Sequence, residues 1–529
     1  MAIPESRTYQ LAKAALLSIL LAVTPVPSVL LAQTKPAAAE QKEDPLTALF
    51  KQAEKALEAK KYAEALKIYQ EMEQKAPPGL EARLRAVLSF RKATCHYLLK
   101  DWAGAETEIN NFLTKFEKGT EDFFDTFDNK RGVAQLSLVE VLANQSKWDQ
   151  ALGLLEKLRI NPLLRAEDRV NAFTLSAKII EEKSKSGNEA EKRQALGQAL
   201  NLLKTATAQG LNTPERREAG FKLVEVYTKL GMTKEAEQLK AEIDAGSNGS
   251  PADIVRSNFQ RIEIGDARFA AAENGDEKEK PELYRQALAS YQGTLRRNTV
   301  ARAVGKAVES RQQQVDALVK QFPKPTPEQT IQIEDARKDV DQFKKIETDF
   351  NANKDYDAFI SYRIGLCLLE LNKPWEAFIA FRDIFDNNPS FTKISGAYYY
   401  YILALRNIGR NTEAQAKCKE FLQKYPDAEE ISMVAVILGE ISQEREEYPE
   451  AIEHYKWVKD NVKKLDPETV EEIDFRIAGC LFSHQEWDAG RIALDDFLQK
   501  HPRSMLRQQV SYMSALCWFY QGKFKETRS

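Results

Sequence analysis

From about residue 44 onward, apolar positions recur with a helical period in runs of roughly 12–15 residues, separated by short polar turns. Three marks repeat along these runs. A small residue follows each turn and lies three positions after an aromatic: Ala65 after Tyr62, Ala105 after Trp102, Ala151 after Trp148, Ala451 after Tyr448 and Gly490 after Trp487. With Ala377, Ala414 and Thr527 as further anchors, the C-terminal spacings are 37, 37, 39 and 37. Twelve residues before the anchor stands another small residue: Ala53, Ala93, Gly365, Gly439, Ala478 and Ala515. Twelve residues after it comes Pro77, Pro389, Pro426 or Pro502.

One physical cause accounts for the three marks. Two helices cross closely only where both present a small side chain at the contact. The turn aromatic fills the wedge beside the crossing, and Pro ends the second helix because it cannot continue the backbone hydrogen bonds. A single helix pair cannot bury its apolar face alone, so neighbours stack into a continuous core.

The pattern resembles the tetratricopeptide repeat (TPR), most clearly in Tyr362-Arg-Ile-Gly365, Trp375-Glu-Ala377 and Pro389. The expected fold class is therefore all-α: a TPR-like α-solenoid of roughly ten helix pairs. Clear units cover residues 44–163 and 351–529, with weaker pairs anchored near Ala195, Ala236 and Ala287. The period exceeds the family's ~34 residues, which implies longer helices or turns. Second helices end in Phe-Leu-rich segments such as Phe421-Leu422-Gln-Lys-Tyr425-Pro426 and Phe497-Leu498-Gln-Lys-His501-Pro502. That ending is similar to bacterial envelope TPR proteins of the Tol–Pal accessory and barrel-assembly lipoprotein type.

The array is interrupted. Gly246-Ser-Asn-Gly-Ser-Pro251 reads as a linker, and Asn274 to Pro281 as a polar loop. Over 299–350, Val308, Val315 and Phe322 are spaced by seven, as are Ala336, Phe343 and Phe350, on either side of Phe322-Pro-Lys-Pro-Thr-Pro327. This predicts an inserted long helical hairpin with a coiled-coil-like seam; an irregular solenoid pair is the alternative. The expected organisation is a signal peptide (1–32), an N-terminal TPR-like array (44–245), an atypical helical segment (252–350) and a C-terminal TPR array (351–529). The last unit is expected to end mid-repeat, since Lys523 to Thr527 starts a second helix and Ser529 follows closely.

At the N-terminus, Arg7 and Lys13 precede the apolar run Ala14–Val23. This is the charged and apolar pair of regions of a secretory signal, with cleavage after Ala32 or Ala39; an uncleaved anchor is the competing reading. The expected location is outside the cytoplasm, in the periplasm or cell envelope. Composition agrees with a folded scaffold. Of 529 residues 43% are hydrophobic and 29% charged, and the net charge of −3 supplies no basic field for nucleic acid.

The residues able to carry chemistry fall mostly on core positions. Cys95, Cys367, Cys480 and Cys517 each lie ten residues before their anchor, so equivalent thiols stand a repeat apart, beyond disulfide reach. The four His show no zinc spacing, and no phosphate loop or nucleophile elbow occurs. No enzyme and no cofactor are expected. In the TPR resemblance the first helix of each pair lines the concave groove, and positions fifteen and eight before the anchor face it. These are Tyr362 and Leu369, Tyr399 and Arg406, Val436 and Gln443, Phe475 and Phe482, and Tyr512 and Phe519. Aromatic rings stacked in such a row suit an extended peptide or helix, although rings at these positions also serve packing between repeats. The carboxylate-capturing Asn of TPR cochaperones is absent: Thr94, Leu366, Glu440, Gly479 and Leu516 occupy its place.

The partner-binding candidates are thus Tyr362, Tyr399, Arg406, Phe475, Phe482, Tyr512 and Phe519. The expected function is an exported scaffold for protein–protein interaction in the bacterial envelope. The alternative is a self-associating structural subunit, or a subunit of secretion or outer-membrane assembly. A protein or peptide is the expected partner, nucleic acid is not, and a membrane enters only if the N-terminal segment stays uncleaved.

Overall fold

The structure, a computed structural model, describes residues 45–76, 82–115, 121–162, 164–246, 250–323, 325, 327–462 and 465–523. The signal segment lies outside them. The described residues form 23 α-helices and no strand. By their contacts they divide into two compact units, one running up to Ala267 and including Leu295–Ala352, the other formed by Arg268–Thr294 and Asn353 onward. The boundary runs through the 252–350 segment.

The first unit begins with antiparallel pairs: α1 (Pro45–Glu58) with α2 (Tyr62–Lys75), α3 (Ala82–Leu98) with α4 (Trp102–Lys115), and α5 (Glu121–Asn144) with α6 (Trp148–Ile160). It continues with α7 (Ala166–Ser184) and α8 (Glu189–Thr207), then α9 (Pro214–Lys229) and α10 (Thr233–Gly246), and the part of α11 (Pro251–Asn274) up to Ala267 follows. From α1 to α10 each helix packs on the one before it. The second unit holds α12 (Lys280–Gln292), and then α15 (Tyr356–Glu370) with α16 (Pro374–Asn387). Its remaining pairs are α17 (Ile394–Asn407) with α18 (Asn411–Lys424), α19 (Ile431–Glu444) with α20 (Tyr448–Asn461), and α21 (Pro467–Ser483) with α22 (Trp487–Lys500), before α23 (Arg507–Tyr520).

Between the two stretches of the second unit stands the hairpin of α13 (Arg297–Gln321) and α14 (Pro327–Asn351). It is an insertion in the literal sense, because α12 packs directly on α15 as if the hairpin were absent. Val315, Leu318, Ala336 and Val340 close the hairpin's own core. Its open end is fixed within the first unit by Phe350 against Phe259, and by Arg297 donating to the Asn351 carbonyl at 2.6 Å.

The anchors are where the helices touch. Ala65, Ala105, Ala151, Ala377, Ala414 and Ala451 are fully buried. The size constraint is tightest at Gly365 and Gly439, where a Cβ would stand 2.5 Å from the Phe381 ring and 2.6 Å from the Tyr455 ring. Both rings lie four residues after an anchor, so the small residue makes room for the large one. In the repeat of Ala414 the sizes are exchanged: Ile402 and Cys418 hold the two positions, both fully buried.

The turn inside each pair is equally regular. Lys60, Lys100, Ser146, Gly231, Asn372, Gly409, Glu446, Gln485 and Gly522 all have φ between +54° and +77°, and each lies five residues before an anchor. The next amide bonds to a carbonyl five residues back at 2.8–3.0 Å, from Lys61 to Ala56 in the first pair and from Lys523 to Trp518 in the last. This left-handed cap closes the first helix and starts the second almost at once. The pair anchored at Ala195 departs from it: Asn188 and Glu191 form a capping box there instead. Second helices end as expected at Pro, with α16, α18 and α22 each stopping two positions before Pro389, Pro426 and Pro502.

Candidate partner-binding face

First helices of successive repeats touch one another, α15 with α17 and α21 with α23. From α17 to α21, neighbouring first helices are joined by charge. Arg406 on α17 pairs with Glu440 and, at 2.6 Å, with Glu444 on α19. Arg476 on α21 pairs with Glu440 at 2.5 Å and with Glu472 at 2.7 Å. Burial opposes the charge on Arg476, but the hydrogen bond to Glu472 and the field of Glu440 outweigh it and raise its pKa. The result is a nearly neutral ladder across three helices.

Two adjoining clefts open over this ladder. The first, of about 330 Å³, is lined by Arg406, Glu440, Gln443, Glu444, Tyr448, Arg476 and Ser483. The second, of about 570 Å³, shares Gln443, Arg476 and Ser483 and continues over Phe475 and Gly479 to Leu506, Gln509 and Met513 near α23. Phe475, Leu506 and Met513 pack on the same core as Leu494, Phe497 and Val510, so the apolar floor is continuous with the interior. A hydrogen-bonding rim, charge-paired over the smaller cleft and carrying Glu468, Glu471 and Glu472 over the larger, above an apolar floor suits recognition of a polypeptide segment.

The sequence-predicted residues divide into three groups. Arg406 and Phe475 line the clefts, as does Gln443, whose side chain accepts from the Tyr455 hydroxyl at 3.1 Å. Tyr362 and Tyr399 belong to a different, half-buried aromatic cluster. Tyr362 meets Phe381, Phe391 and Tyr400 at 5.9–6.2 Å, and Tyr399 meets Tyr400 at 5.0 Å. Burial raises both phenol pKa values. Tyr512 and Phe519 stand out on α23, 65% and 48% exposed. Phe482 packs edge-on against Trp487, which in turn stacks on Tyr520 at 4.6 Å. Among the described residues none of Tyr362, Tyr399, Phe475 and Tyr512 stacks on another, so the rings do not form the single ladder expected of them. The run Tyr398–Tyr401 is mostly absorbed by packing, with Tyr398 and Tyr401 buried against Phe385.

Of the ladder residues only Arg406 was among the candidates read from the sequence; Glu440, Glu444, Glu472 and Arg476 were not. Glu440 lies eleven positions before its anchor and Arg476 fourteen before the next. Glu54 and Arg91 hold the same two positions in the first unit and pair there at 2.7 Å. That repeated Glu-then-Arg register was available in the sequence, hidden among many exposed charges. Glu440 also fills the place of the cochaperone Asn, where it bridges two Arg rather than facing a ligand.

All five cysteines are buried, and none forms a disulfide. Burial pushes the Cys95 and Cys418 thiols up to about 12 and those of Cys480 and Cys517 to about 11. No group of three or more metal-ligating side chains occurs among the described residues, and no helix among them is long and apolar enough to cross a membrane.

Two family models match the chain, a tetratricopeptide repeat over residues 397–428 and a second over residues 183–257. No curated protein matches it. Among solved structures, the C-terminal part of a TPR repeat-containing protein from Cytophaga hutchinsonii is 12% identical, covering 66% of this chain and 98% of that one with a TM-score of 0.37. The Cut9–Hcn1 hetero-tetramer of APC/C is 14% identical over 91% of each chain, with a TM-score of 0.27. Yeast Tom70 is 15% identical over 92% of this chain and 91% of that one, also with a TM-score of 0.27. The chain carries tetratricopeptide repeats over the two matched segments, and its described residues are all-α, built of successive antiparallel helix pairs within each unit with an inserted helical hairpin.

Proposed function

We propose that this protein is an exported scaffold in the bacterial cell envelope that holds a segment of a partner protein across the α17–α23 face. The observation that carries the reading is the pair of adjoining clefts, built by first helices of consecutive repeats and combining fixed polar groups with an apolar floor. Tetratricopeptide repeats imply protein–protein interaction, and each repeat here presents its neighbour with a new stretch of the same surface. The signal-like N-terminal run supports the location.

A photo-crosslinking amino acid placed at Gln443 or Gln509 in the producing cell tests the face directly. It should capture a partner that is not captured from Ile379 or Ile492, which are exposed on the second helices α16 and α22. Equal capture from all four positions, or none from the first two, would overturn the reading. Replacing Tyr399, Phe475 and Tyr512 together with Ala should abolish capture while circular dichroism stays native. Export is tested by the mature N-terminus: mass spectrometry of the envelope fraction should find it after Ala32 or Ala39.

A further inference from the structure

Taken together, the two adjoining clefts are not electrically uniform. Toward α17 and α19 the carboxylates of Glu440 and Glu444 are matched by Arg406 and Arg476. Toward the start of α21 the lining adds Glu468, Glu471 and Glu472, and only Glu472 is paired, with Arg476. Glu468 lies in the first turn of α21, where the helix dipole stabilises a negative charge. Glu471, one turn further in, has no such support. Neither Glu468 nor Glu471 has a cationic partner among the described residues. Beside these two carboxylates lies the apolar floor of Phe475, Leu506 and Met513.

We propose that the cleft between α21 and α23 takes a basic amphipathic segment of the partner protein. Its Lys or Arg side chains lie against Glu468 and Glu471, and an apolar side chain sits on Phe475, Leu506 and Met513. This rests on the reading of the face as partner-binding and adds the chemistry of what it selects. An acidic segment would be repelled here and would leave two carboxylates desolvated without compensation, which is how charge discriminates between partners of similar apolar content. A second copy of this chain would have to present a comparable basic stretch.

The test uses the full chain and two labelled synthetic peptides that share their Leu positions, one with Lys and one with Glu on the polar side. Fluorescence anisotropy should show the Lys peptide binding at least about tenfold more tightly, with affinity falling as salt rises. The double variant E468Q/E471Q should weaken the Lys peptide about tenfold and flatten its salt dependence. Met513→Ser should weaken it as well, and Ile492→Ser, on an exposed face of α22, should not. Equal binding of the two peptides, no binding of the Lys peptide, or Lys-peptide binding indifferent to E468Q/E471Q would overturn the proposal. Cross-linking from Gln509 to an acidic partner segment would overturn it while leaving the partner-binding face intact; absence of cross-links from both Gln443 and Gln509 removes the face itself.

Discussion

Nine positive-φ residues close nine first helices, and only Gly231, Gly409 and Gly522 among them are glycine. An L side chain in this conformation costs on the order of 1 kcal/mol through the clash of Cβ with the following carbonyl. Lys100→Gly, at φ +60°, should therefore raise the urea midpoint, with a gain limited to less than about 1 kcal/mol by the extra freedom of Gly in the unfolded chain. Gly409→Val, at φ +77°, should lower the midpoint, because a β-branched residue tolerates that region worst. A second residue-scale test concerns Gly439, whose added Cβ would meet the Tyr455 ring. Gly439→Ala should cost about 1–3 kcal/mol by overpacking. Adding Tyr455→Leu to it should recover part of that loss, a positive coupling in a double-mutant cycle. The small residues at these crossings could be read from the sequence because size is a property of the residue itself. The turn conformation could not, since Lys, Ser, Glu and Gln do not announce a left-handed backbone; only the fixed distance to the anchor reveals it.

At the scale of elements, charges join neighbouring first helices in both units. On α9 of the first unit, Lys222 meets Glu181 of α7 at 2.6 Å and Glu225 at 3.0 Å, and Lys229 meets Glu225 at 2.6 Å. Glu218 pairs with Lys178 at 3.0 Å and with Arg256 of α11. Burial pushes the Glu218 and Glu225 carboxyls up, but Arg256 and Lys178 on one side and Lys222 and Lys229 on the other outweigh it and hold both at about 2. Their stabilisation is present above the unfolded value of 4.5 and is lost as pH falls toward 2. Glu263 behaves in the opposite sense: burial and the nearby Glu225 raise it to about 7. Between 4.5 and 7 the folded chain holds this proton more tightly than the unfolded one, so this residue's contribution falls as pH rises through that window. Glu263→Gln should therefore raise the urea midpoint at pH 8 and leave it nearly unchanged at pH 4. The sequence made helix pairing legible because apolar periodicity is local. Ladders between helices some forty residues apart were obscured, since a Glu at helical spacing reads the same whether it faces water or the next repeat's Arg.

For the molecule as a whole, the cysteine thiols report on integrity unit by unit. Cys95 lies in the first unit, and Cys367, Cys418, Cys480 and Cys517 in the second. The native chain should leave all five unreactive toward a thiol reagent, and a urea titration followed by mass spectrometry should release them in one group of one and another of four. Reaction of any of them in the native state would show that its repeat opens. The hairpin was legible in its heptad spacing and in the Pro residues between its two runs, whereas its effect on connectivity was not: that depends on α12 meeting α15 across an insertion of some sixty residues. The backbone passes between the units three times, within α11 at Ala267–Arg268, at Thr294–Leu295 and at Ala352–Asn353. No single breakpoint in the gene, then, can hand either unit intact to another protein. A recombination event that shuffled one of them would need matched junctions at several places, so the pair is bound to be inherited as one piece.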